Sequence, residues 1–289
     1  MRKQKKIFFL LIVIILAPSV FYLLRQSTQI VSTRAIFSWS SEEITYNKKQ
    51  LVNDLVTYDF DRLFQSISSD VKNQEVISFV TELTNQNIDV YKLSGTPEWA
   101  LDPSGTGMIE QLDQIIKINR QLPKKNHIKG LVIDVEPYTL DHFEWEDKFV
   151  QKSYISAMKK LYQEAKQEGL ELVVVVPYFY DTKGYKDVLN TFIHEASSEI
   201  AVMNYYRNHE IEHLSFEAKE AKKADKPLTT IYEFKQPGQH DLNDINTYFN
   251  KGRSAAVENA KQLIQHYNNQ TIHIAYHDYH AFREVIENE

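Results

Sequence analysis

The chain has 289 residues, of which 43% are hydrophobic and 25% charged, a balance typical of a globular protein that can bury a sizeable core. Its net charge is −6 and no long basic run follows residue 6, which argues against nucleic acid as a partner, because phosphate-binding surfaces are basic. The lack of cysteine excludes disulfide bonds and thiol catalysis.

The N-terminal residues have the composition of a membrane anchor. Residues 1–6 form a basic tail, and residues 7–24 are an apolar run without a charge. Such a run approaches the ~20 residues that cross a bilayer, and the basic flank predicts a cytoplasmic N-terminus. A cleaved signal peptide is the alternative, but no small-x-small site follows the run and Arg25 comes directly after it. The sequence therefore predicts a single-pass protein of a bacterial cell membrane, with a linker at 25–34 and a catalytic domain at 35–289 outside the cell.

From residue 35 onward, apolar runs alternate with segments of helical spacing. The predicted strands are 35–40, 62–67, 88–94, 128–136, 170–180, 200–206, 228–234 and 271–278. Helical spacing occurs, for example, at 71–86, 106–122, 152–168, 184–196, 213–224 and 254–268. Eight strands alternating with helices favour an α/β fold, the (β/α)8 TIM barrel. A doubly wound open sheet is the alternative, although no glycine-rich phosphate loop follows the first strand.

Acidic and aromatic side chains gather at the predicted strand ends, where barrel enzymes place their active sites. They are Trp39, Trp99, Asp134, Glu136, Tyr138, Tyr178, Asn204, Tyr205, Arg207, Glu233 and Tyr276. This composition is typical of a carbohydrate cleft, because rings stack on sugar faces and acids act on the glycosidic bond. Burial at a strand end is the alternative role of each tryptophan, and Arg207 could bind an acidic sugar or neutralise a nearby carboxylate.

The acids of the fourth strand, Asp134 and Glu136, stand two residues apart in IKGLVIDVEPY. Alternation along a strand turns both side chains to one face, so that in a barrel Glu136 lies at the mouth and Asp134 beneath it. Repulsion between two nearby carboxylates raises the pKa of one, which then stays protonated as a general acid. Backbone hydrogen bonds, or ion pairs with Lys92 and Arg207, are the alternative.

The fourth strand resembles that of the family 18 glycoside hydrolases, the chitinases and endo-β-N-acetylglucosaminidases, whose motif is DGxDxDxE. KGLVIDVE, residues 129–136, aligns with the motif without a gap. Gly130, Asp134 and Glu136 match, while Lys129 and Val132 replace the first two acids.

Two further strands bear on this resemblance. The family's Met-x-Tyr motif on strand six is matched by Met203, Asn204 and Tyr205, with Tyr206 in place of the usual Asp. The family's strand-eight tryptophan has no counterpart in TIHIAYHDY. The resemblance is that of a distant relative.

The resemblance implies catalytic roles for three residues. Glu136 would protonate the leaving-group oxygen, and Asp134 would orient the substrate's N-acetyl group, whose carbonyl attacks the anomeric carbon. Tyr205 would hydrogen-bond that carbonyl. Val132 stands where the family has an acid that shares charge with the residue matched by Asp134, so the chain could have a different pH optimum or bind glycans without cleaving them.

A second scheme uses Glu136 and Glu233, since many retaining glycosidases on barrels place their two carboxylates on strands four and seven. Carboxyls about 5 Å apart support a covalent intermediate. Those enzymes usually have Asn before the acid, where this chain has Val135, and Glu233 could instead pair with Lys235 or Arg207. Both schemes remain open.

Neither a metal nor a cofactor is predicted. His273, His277 and His280 near Asp278 fit surface or capping roles better than a metal site. The predicted function is hydrolysis of a cell-surface or cell-wall polysaccharide. A non-catalytic glycan-binding or polysaccharide-assembly protein is the main alternative, and a barrel enzyme for soluble sugars or phosphates is a weaker one. The sugar, the linkage and the oligomeric state are open.

Overall fold

The computed structural model of the protein describes residues 32–289. The predicted anchor at 7–24, the basic tail and most of the predicted linker lie outside these residues. Within 32–289, none of the helices combines the length and hydrophobicity that a bilayer crossing requires.

Eight parallel strands form a closed barrel in which each strand pairs with the next and β8 pairs with β1. The strands are β1 Arg34–Ser38, β2 Arg62–Ser66, β3 Asp89–Ser94, β4 Gly130–Ile133, β5 Glu171–Pro177, β6 Glu199–Met203, β7 Leu228–Glu233 and β8 Ile272–His277. The predicted barrel is confirmed and the open sheet is excluded. The fourth and fifth strands end earlier than predicted, so Asp134 and Glu136 follow β4 directly.

Helices cover the outside of the barrel. Those among the described residues are α1 Glu42–Thr45, α2 Lys48–Thr57, α3 Asn73–Asn85, α4 Thr106–Asn119, α5 Lys148–Gln167, α6 Lys186–Glu195, α7 Glu210–His213, α8 Ser215–Lys223, α9 Gly252–His266 and α10 Tyr279–Asn288. Buried positions such as Tyr154, Met158 and Leu161 of α5 recur every three or four residues, which turns one face of the helix onto the sheet. Asp147 caps this helix by accepting hydrogen bonds from two backbone amides of its first turn.

The core has two parts, one between the strands and the helices and one inside the barrel. Alternation along the strands supplies both, because successive side chains point to opposite faces. The inner part consists of Ala35, Phe37, Phe64, Tyr91, Leu93, Val132, Val173, Val175, Ala201, Met203, Ile231 and Ala275. It fills the barrel below the carboxyl ends of the strands and so forms the floor on which a site can be built.

One glycine sets how closely β4 approaches β5. A Cβ atom at Gly130 would lie 2.1 Å from the carbonyl oxygen of Glu171, a distance that no real Cβ contact tolerates. Glycine is therefore required at this position for the two strands to pair. This requirement accounts physically for the glycine in the KGLVIDVE segment.

Candidate active site

A cleft of about 820 Å³ opens at the carboxyl ends of the strands. Its lining includes Trp39, Gly95, Thr96, Asp134, Glu136, Tyr138, Tyr178, Phe179, Met203, Tyr205, Glu233, Lys235, His240, Asp241, Asn246 and His277. Acidic, basic and aromatic side chains from β1 and from β4 to β8 therefore converge on one opening, as expected for a barrel active site.

Asp134 lies on the inner face of the barrel, directly above the end of β4. The backbone amide of Asp134 donates to the carbonyl of Ser94 (3.0 Å), and Gly95 packs against the backbone carbonyl of Asp134. Its Oδ1 atom is buried without a hydrogen-bond partner. Burial, reinforced by the charge of Glu136, raises the pKa of Asp134 to about 7, although His277 and Lys235 oppose this rise.

Glu136 is the second acid of the cleft and immediately precedes the short 3-10 helix Pro137–Thr139. Burial raises the pKa of Glu136, while a hydrogen bond from the Tyr138 hydroxyl and the charges of His277 and Lys235 act against the rise. Two carboxyls with raised pKa values in one cleft can hold a proton at neutral pH, as a general acid must.

The alternative ion pairs of these acids do not form. The Nζ atom of Lys92 instead donates to Gln114 Oε1 (2.6 Å) and to the carbonyl of Ile67 (3.3 Å). Arg207 forms its ion pair with Asp244 in the loop after β7.

Tyr205 follows β6 and lines the same cleft as the two acids. Burial, with the nearby charges of Glu233, Asp134 and Glu136, raises the pKa of Tyr205 well above its ordinary value. The phenol therefore keeps its proton and can donate it in a hydrogen bond to a ligand. Its backbone carbonyl accepts a hydrogen bond from Asn246 Nδ2 (2.7 Å), which ties β6 to the loop after β7.

Glu233 is fully engaged by the protein. Its Oε1 accepts hydrogen bonds from the backbone amides of Phe234 (2.9 Å) and Lys235 (2.8 Å). Its Oε2 lies 2.9 Å from Nδ1 of His277, whose Nε2 in turn accepts a hydrogen bond of 3.0 Å from the indole of Trp39. The carboxylate is only 3% exposed, so it is held as a structural acceptor rather than presented as a nucleophile.

His277 and Lys235 also line the cleft. The sequence places His277 at the end of the eighth strand without giving it a role in the site, and it offers Lys235 only as an alternative partner of Glu233. The signal for His277 was the alternation of TIHIAYHD. Ala275 faces the barrel interior, so His277, two residues on, faces the same way, and Tyr276 faces outward. Lys235 gives no comparable signal, because it belongs to the loop after β7 and contacts Asp278 (Nζ–Oδ2 3.4 Å).

Four predicted substrate-binding residues do not line the cleft. Tyr276 is 1% exposed and packs against Phe282, and Trp99 packs over Gly107 near α4. Asn204 is buried and donates to the carbonyl of Glu210 (2.9 Å), which follows from the same alternation that turns its neighbours inward.

Arg207, the fourth, clamps the long loop after β7. Its guanidinium donates to the backbone carbonyls of Asp244 and Thr247 and forms an ion pair with Asp244 Oδ2 (2.6 Å). Its backbone amide donates to the carbonyl of Ile245 (2.9 Å). Arg207 thus acts on the cleft indirectly, because this loop carries His240 and Asp241 to the rim.

Trp39, Tyr138 and Tyr178 do line the cleft. Trp39 stands at the end of β1. Tyr138 stacks near Trp145 with ring centroids 5.9 Å apart, and Tyr178 stacks on His213 at 4.1 Å with an interplanar angle of 10°. These rings give the cleft aromatic walls.

No group of three or more His, Asp and Glu side chains within residues 32–289 is arranged to hold a metal ion. The Nδ1 atom of His273 accepts a hydrogen bond from the backbone amide of Thr33 (3.0 Å). His280 lies 3.1 Å from a carboxylate oxygen of Glu43.

Neither a family model nor a curated protein matches the sequence. The fold is similar to that of a chitinase from Bacteroides thetaiotaomicron, with a TM-score of 0.57 and 12% identity over 86% of this chain and 89% of that one. A class V chitinase from Nicotiana tobaccum gives a TM-score of 0.53 and 13% identity over 89% and 98% of the two chains.

A D-psicose 3-epimerase from Clostridium cellulolyticum H10 is also similar, with a TM-score of 0.52 and 10% identity over 84% of each chain. At such identities the likeness shows the fold alone, and the epimerase shows that this fold serves more than one reaction. The resemblance to family 18 barrels is confirmed at the level of the fold.

Proposed function

We propose that the protein is a glycoside hydrolase that cleaves a cell-surface or cell-wall polysaccharide containing N-acetylated sugars. The observation that carries the proposal is the meeting of Asp134, Glu136 and Tyr205 in one ring-walled cleft, with the pKa values of both carboxyls raised. The chitinase-like fold supports it. The barrel supplies the scaffold, and these three side chains supply the chemistry.

In the proposed reaction, Glu136 protonates the glycosidic oxygen as the bond to the anomeric carbon breaks. The carbonyl oxygen of the substrate's own N-acetyl group attacks that carbon, and water later opens the cyclic intermediate. Asp134 accepts a hydrogen bond from the acetamido N–H through its carboxyl group, which lines the cleft. Tyr205 donates to the acetamido carbonyl and holds it in line.

The occupied carboxylate of Glu233 favours this scheme over the two-carboxylate scheme. A nucleophile needs a free oxygen that faces the anomeric carbon. Glu233 instead accepts two backbone amides on one oxygen and His277 on the other. An attack by Glu233 would first have to break these contacts.

We place the barrel outside a bacterial cell membrane, anchored by residues 7–24. This part of the proposal rests on the sequence alone, through the basic tail and the uncharged apolar run that follows it. Accessibility of the barrel to added protease in intact cells tests it, and full protection would contradict it.

Incubation of the full-length protein with chito-oligosaccharides and with cell-wall glycans tests the reaction. We expect cleavage by the wild type, a loss of about 1000-fold or more for Glu136→Gln, and retained binding by this variant. Glu258→Gln, an exposed change on α9, is the matched control and should cleave normally. Retention of the β configuration in the product is expected, and inversion would overturn the scheme.

Val132 favours a second candidate, a glycan-binding protein without turnover. It occupies the position of a family acid, is fully buried and packs within the apolar floor of the barrel. Asp134 therefore lacks the neighbour that shares its charge in the family. Equal binding and no cleavage by both wild type and Glu136→Gln would support this candidate and reject the hydrolase.

A further inference from the structure

Trp39 is a tryptophan whose position in the cleft is fixed by other side chains. It follows β1, remains 37% exposed and lines the opening that holds Asp134 and Glu136. Its indole N–H donates to Nε2 of His277 at 3.0 Å. An exposed ring held in this way presents a fixed apolar face to a ligand.

The hydrogen bond from Trp39 also fixes the protonation state of His277. An indole nitrogen is a donor only, so Nε2 of the imidazole must be unprotonated to accept from it. The proton of the neutral imidazole then resides on Nδ1 and is donated to Glu233 Oε2 at 2.9 Å. Glu233 cannot turn away, because its other oxygen is held by two backbone amides.

We propose that Glu233 and His277 form a positioning pair that holds Trp39 as the sugar-stacking wall of the cleft and releases it when His277 becomes protonated. The inference rests on the proposed function, since it takes the ligand to be a sugar. It gives Glu233 a positioning role in place of a nucleophilic one. Trp39 would then supply an aromatic wall after β1. The strand-eight tryptophan of the family 18 glycoside hydrolases has no counterpart in this protein.

Several charges act on His277. Glu233 comes from β7, Lys235 from the loop that follows it and Asp278 from the adjacent position. The carboxyls that follow β4 also act on it, and the Tyr205 ring lies 6.1 Å away by ring centroids.

Burial alone would lower the pKa of His277, but the charge and hydrogen bond of Glu233, together with the charge of Asp278, raise it above 6.5. As the pH falls through this raised value, Nε2 gains a proton and becomes a donor. The indole then loses its acceptor.

The three tryptophan indole N–H signals of the full-length protein, resolved by 15N NMR and assigned with Trp→Phe variants, report this contact directly. All samples carry Glu136→Gln, so that added chito-oligosaccharide is bound and not consumed. We expect the Trp39 signal to move with pH at the His277 titration. Oligosaccharide affinity should fall about tenfold over the same range, with the other two indole signals fixed.

Two variants of His277 test its two hydrogen bonds separately, the one with Trp39 and the one with Glu233. His277→Gln places an acceptor near the position of Nε2, so Trp39 should stay bound and its signal should no longer titrate. His277→Asn keeps a donor near the position of Nδ1 for Glu233 but offers nothing to Trp39, so the indole signal should shift and affinity should fall about tenfold. His266→Gln, at the exposed end of α9, is the matched control and should leave both readouts unchanged.

A Trp39 signal that ignores pH in the parent protein, or that is the same in His277→Asn, would overturn the positioning pair. A titrating indole signal with no oligosaccharide binding at any pH would overturn the stacking role together with the proposed substrate. That result would leave the hydrogen bonds themselves established. A third outcome is oligosaccharide binding with the expected indole titration, but no cleavage by the protein that retains Glu136. That outcome would reject hydrolysis alone and support Trp39 as the stacking wall.

Discussion

The carboxyl of Asp134 destabilises the folded protein at neutral and alkaline pH. Burial and the charge of Glu136 raise its pKa from 3.8 to about 7. The folded protein therefore holds a proton that the unfolded chain has released between these values, so the free energy of unfolding falls as the pH rises through this window. We expect Asp134→Asn to raise the melting temperature near pH 8 and to leave it unchanged near pH 4, while abolishing hydrolysis.

Scanning calorimetry of the full-length protein at the two pH values measures this effect. Each 1 kcal/mol added to the free energy of unfolding raises the melting temperature of a domain of this size by about 2–4 °C. Asp113→Asn, exposed on α4, is the matched control and should change the melting temperature at neither pH. An equal gain near pH 4 and near pH 8 would contradict an electrostatic origin.

The titration of Asp134 depends on its neighbour, which gives a second prediction for this pair. The charge of Glu136 contributes to the raised pKa of Asp134, after burial, which is the larger cause. Glu136→Gln removes that charge and should lower the pKa of Asp134 part of the way toward 3.8. Carboxyl 13C NMR of Asp-labelled protein follows the titration, with Glu258→Gln as the control, and an unchanged pKa would show that the two carboxyls do not interact.

The loop after β7 is a structural element that the side chain of Arg207 contacts at three points. Arg207 binds two carbonyls and a carboxylate of this loop, and a planar guanidinium is suited to several such contacts at once. We expect Arg207→Lys to loosen the loop, raise KM several-fold and change kcat little, because the carboxyls proposed to act in catalysis follow β4. Hydrogen exchange should increase in residues 238–247, with Arg120→Lys on the protein surface as the control.

Unchanged exchange in that loop together with an unchanged KM would show that Arg207 is not needed to hold it. A fall in kcat at constant KM would instead place Arg207 in the chemical step, which its burial beneath the loop does not suggest.

The approach of the β3 end to Asp134 gives a prediction about backbone geometry. A Cβ atom at Gly95 would lie 1.7 Å from the Asp134 carbonyl oxygen, so Gly95→Ala must push the two segments apart. A displacement of about 1 Å at a catalytic group can cost about 100-fold in rate, and we expect a loss of that order in kcat.

Gly169→Ala is the control for this change. Gly169 has a φ of +68° but open space around its missing Cβ, so alanine there should lower stability by about 1 kcal/mol without changing the rate per folded molecule. Chemical unfolding and kcat are measured on both variants. A Gly95→Ala variant with normal kcat would contradict the tight fit.

The barrel could be predicted from the sequence because a β strand buried on both faces leaves a short, continuous apolar run. LELVVVVPYFY, for example, contains β5, and the run ends where the site begins. Asp134 and Glu136 could be assigned to one face by alternation alone. Which of the two alternating sets of side chains faces the barrel interior is harder to predict. Tyr276 and His277 are adjacent, and only packing decides which one faces the cleft.

Contacts between distant segments could not be predicted from the sequence. The role of Arg207 depends on a loop about 40 residues further along the chain, and the state of Glu233 depends on Trp39 at the opposite end of the domain. The helix α2 between β1 and β2 was not among the segments given as examples, although its buried residues Leu51, Val52 and Leu55 recur at helical spacing.

Across the whole molecule, ionisable side chains occupy both ends of the barrel and an apolar floor separates them. The cleft acids lie at the carboxyl ends of the strands, while Arg62 of β2 and Glu199 of β6 form a bidentate ion pair (3.0 Å for each contact) at the amino ends. Both side chains are nearly inaccessible to water. In barrels of this type, residues at the amino ends of the strands generally serve stability and those at the carboxyl ends serve function, and the positions of the ion pair and of the cleft acids agree with this rule.

The ion pair at the amino ends therefore gives a prediction for the molecule as a whole. Burial alone would raise the pKa of Glu199, but Arg62, together with His273 and Thr229, lowers it. The ionised pair therefore stabilises the fold above about pH 4.5, and this contribution is lost as the pH falls further. Arg62→Met leaves a buried carboxylate without its partner and should cost about 3–5 kcal/mol in urea unfolding at neutral pH.

The double variant Arg62→Met/Glu199→Leu should recover most of that stability, because it removes the unpaired charge along with the pair. Neither change should alter the pH dependence of hydrolysis per folded molecule, since the apolar layer that contains Val132 and Val175 lies between the pair and the cleft. A shifted pH profile in the double variant would show that the two ends of the barrel are electrostatically coupled. A double variant no more stable than Arg62→Met would show that the Glu199 charge is not the cause of the loss.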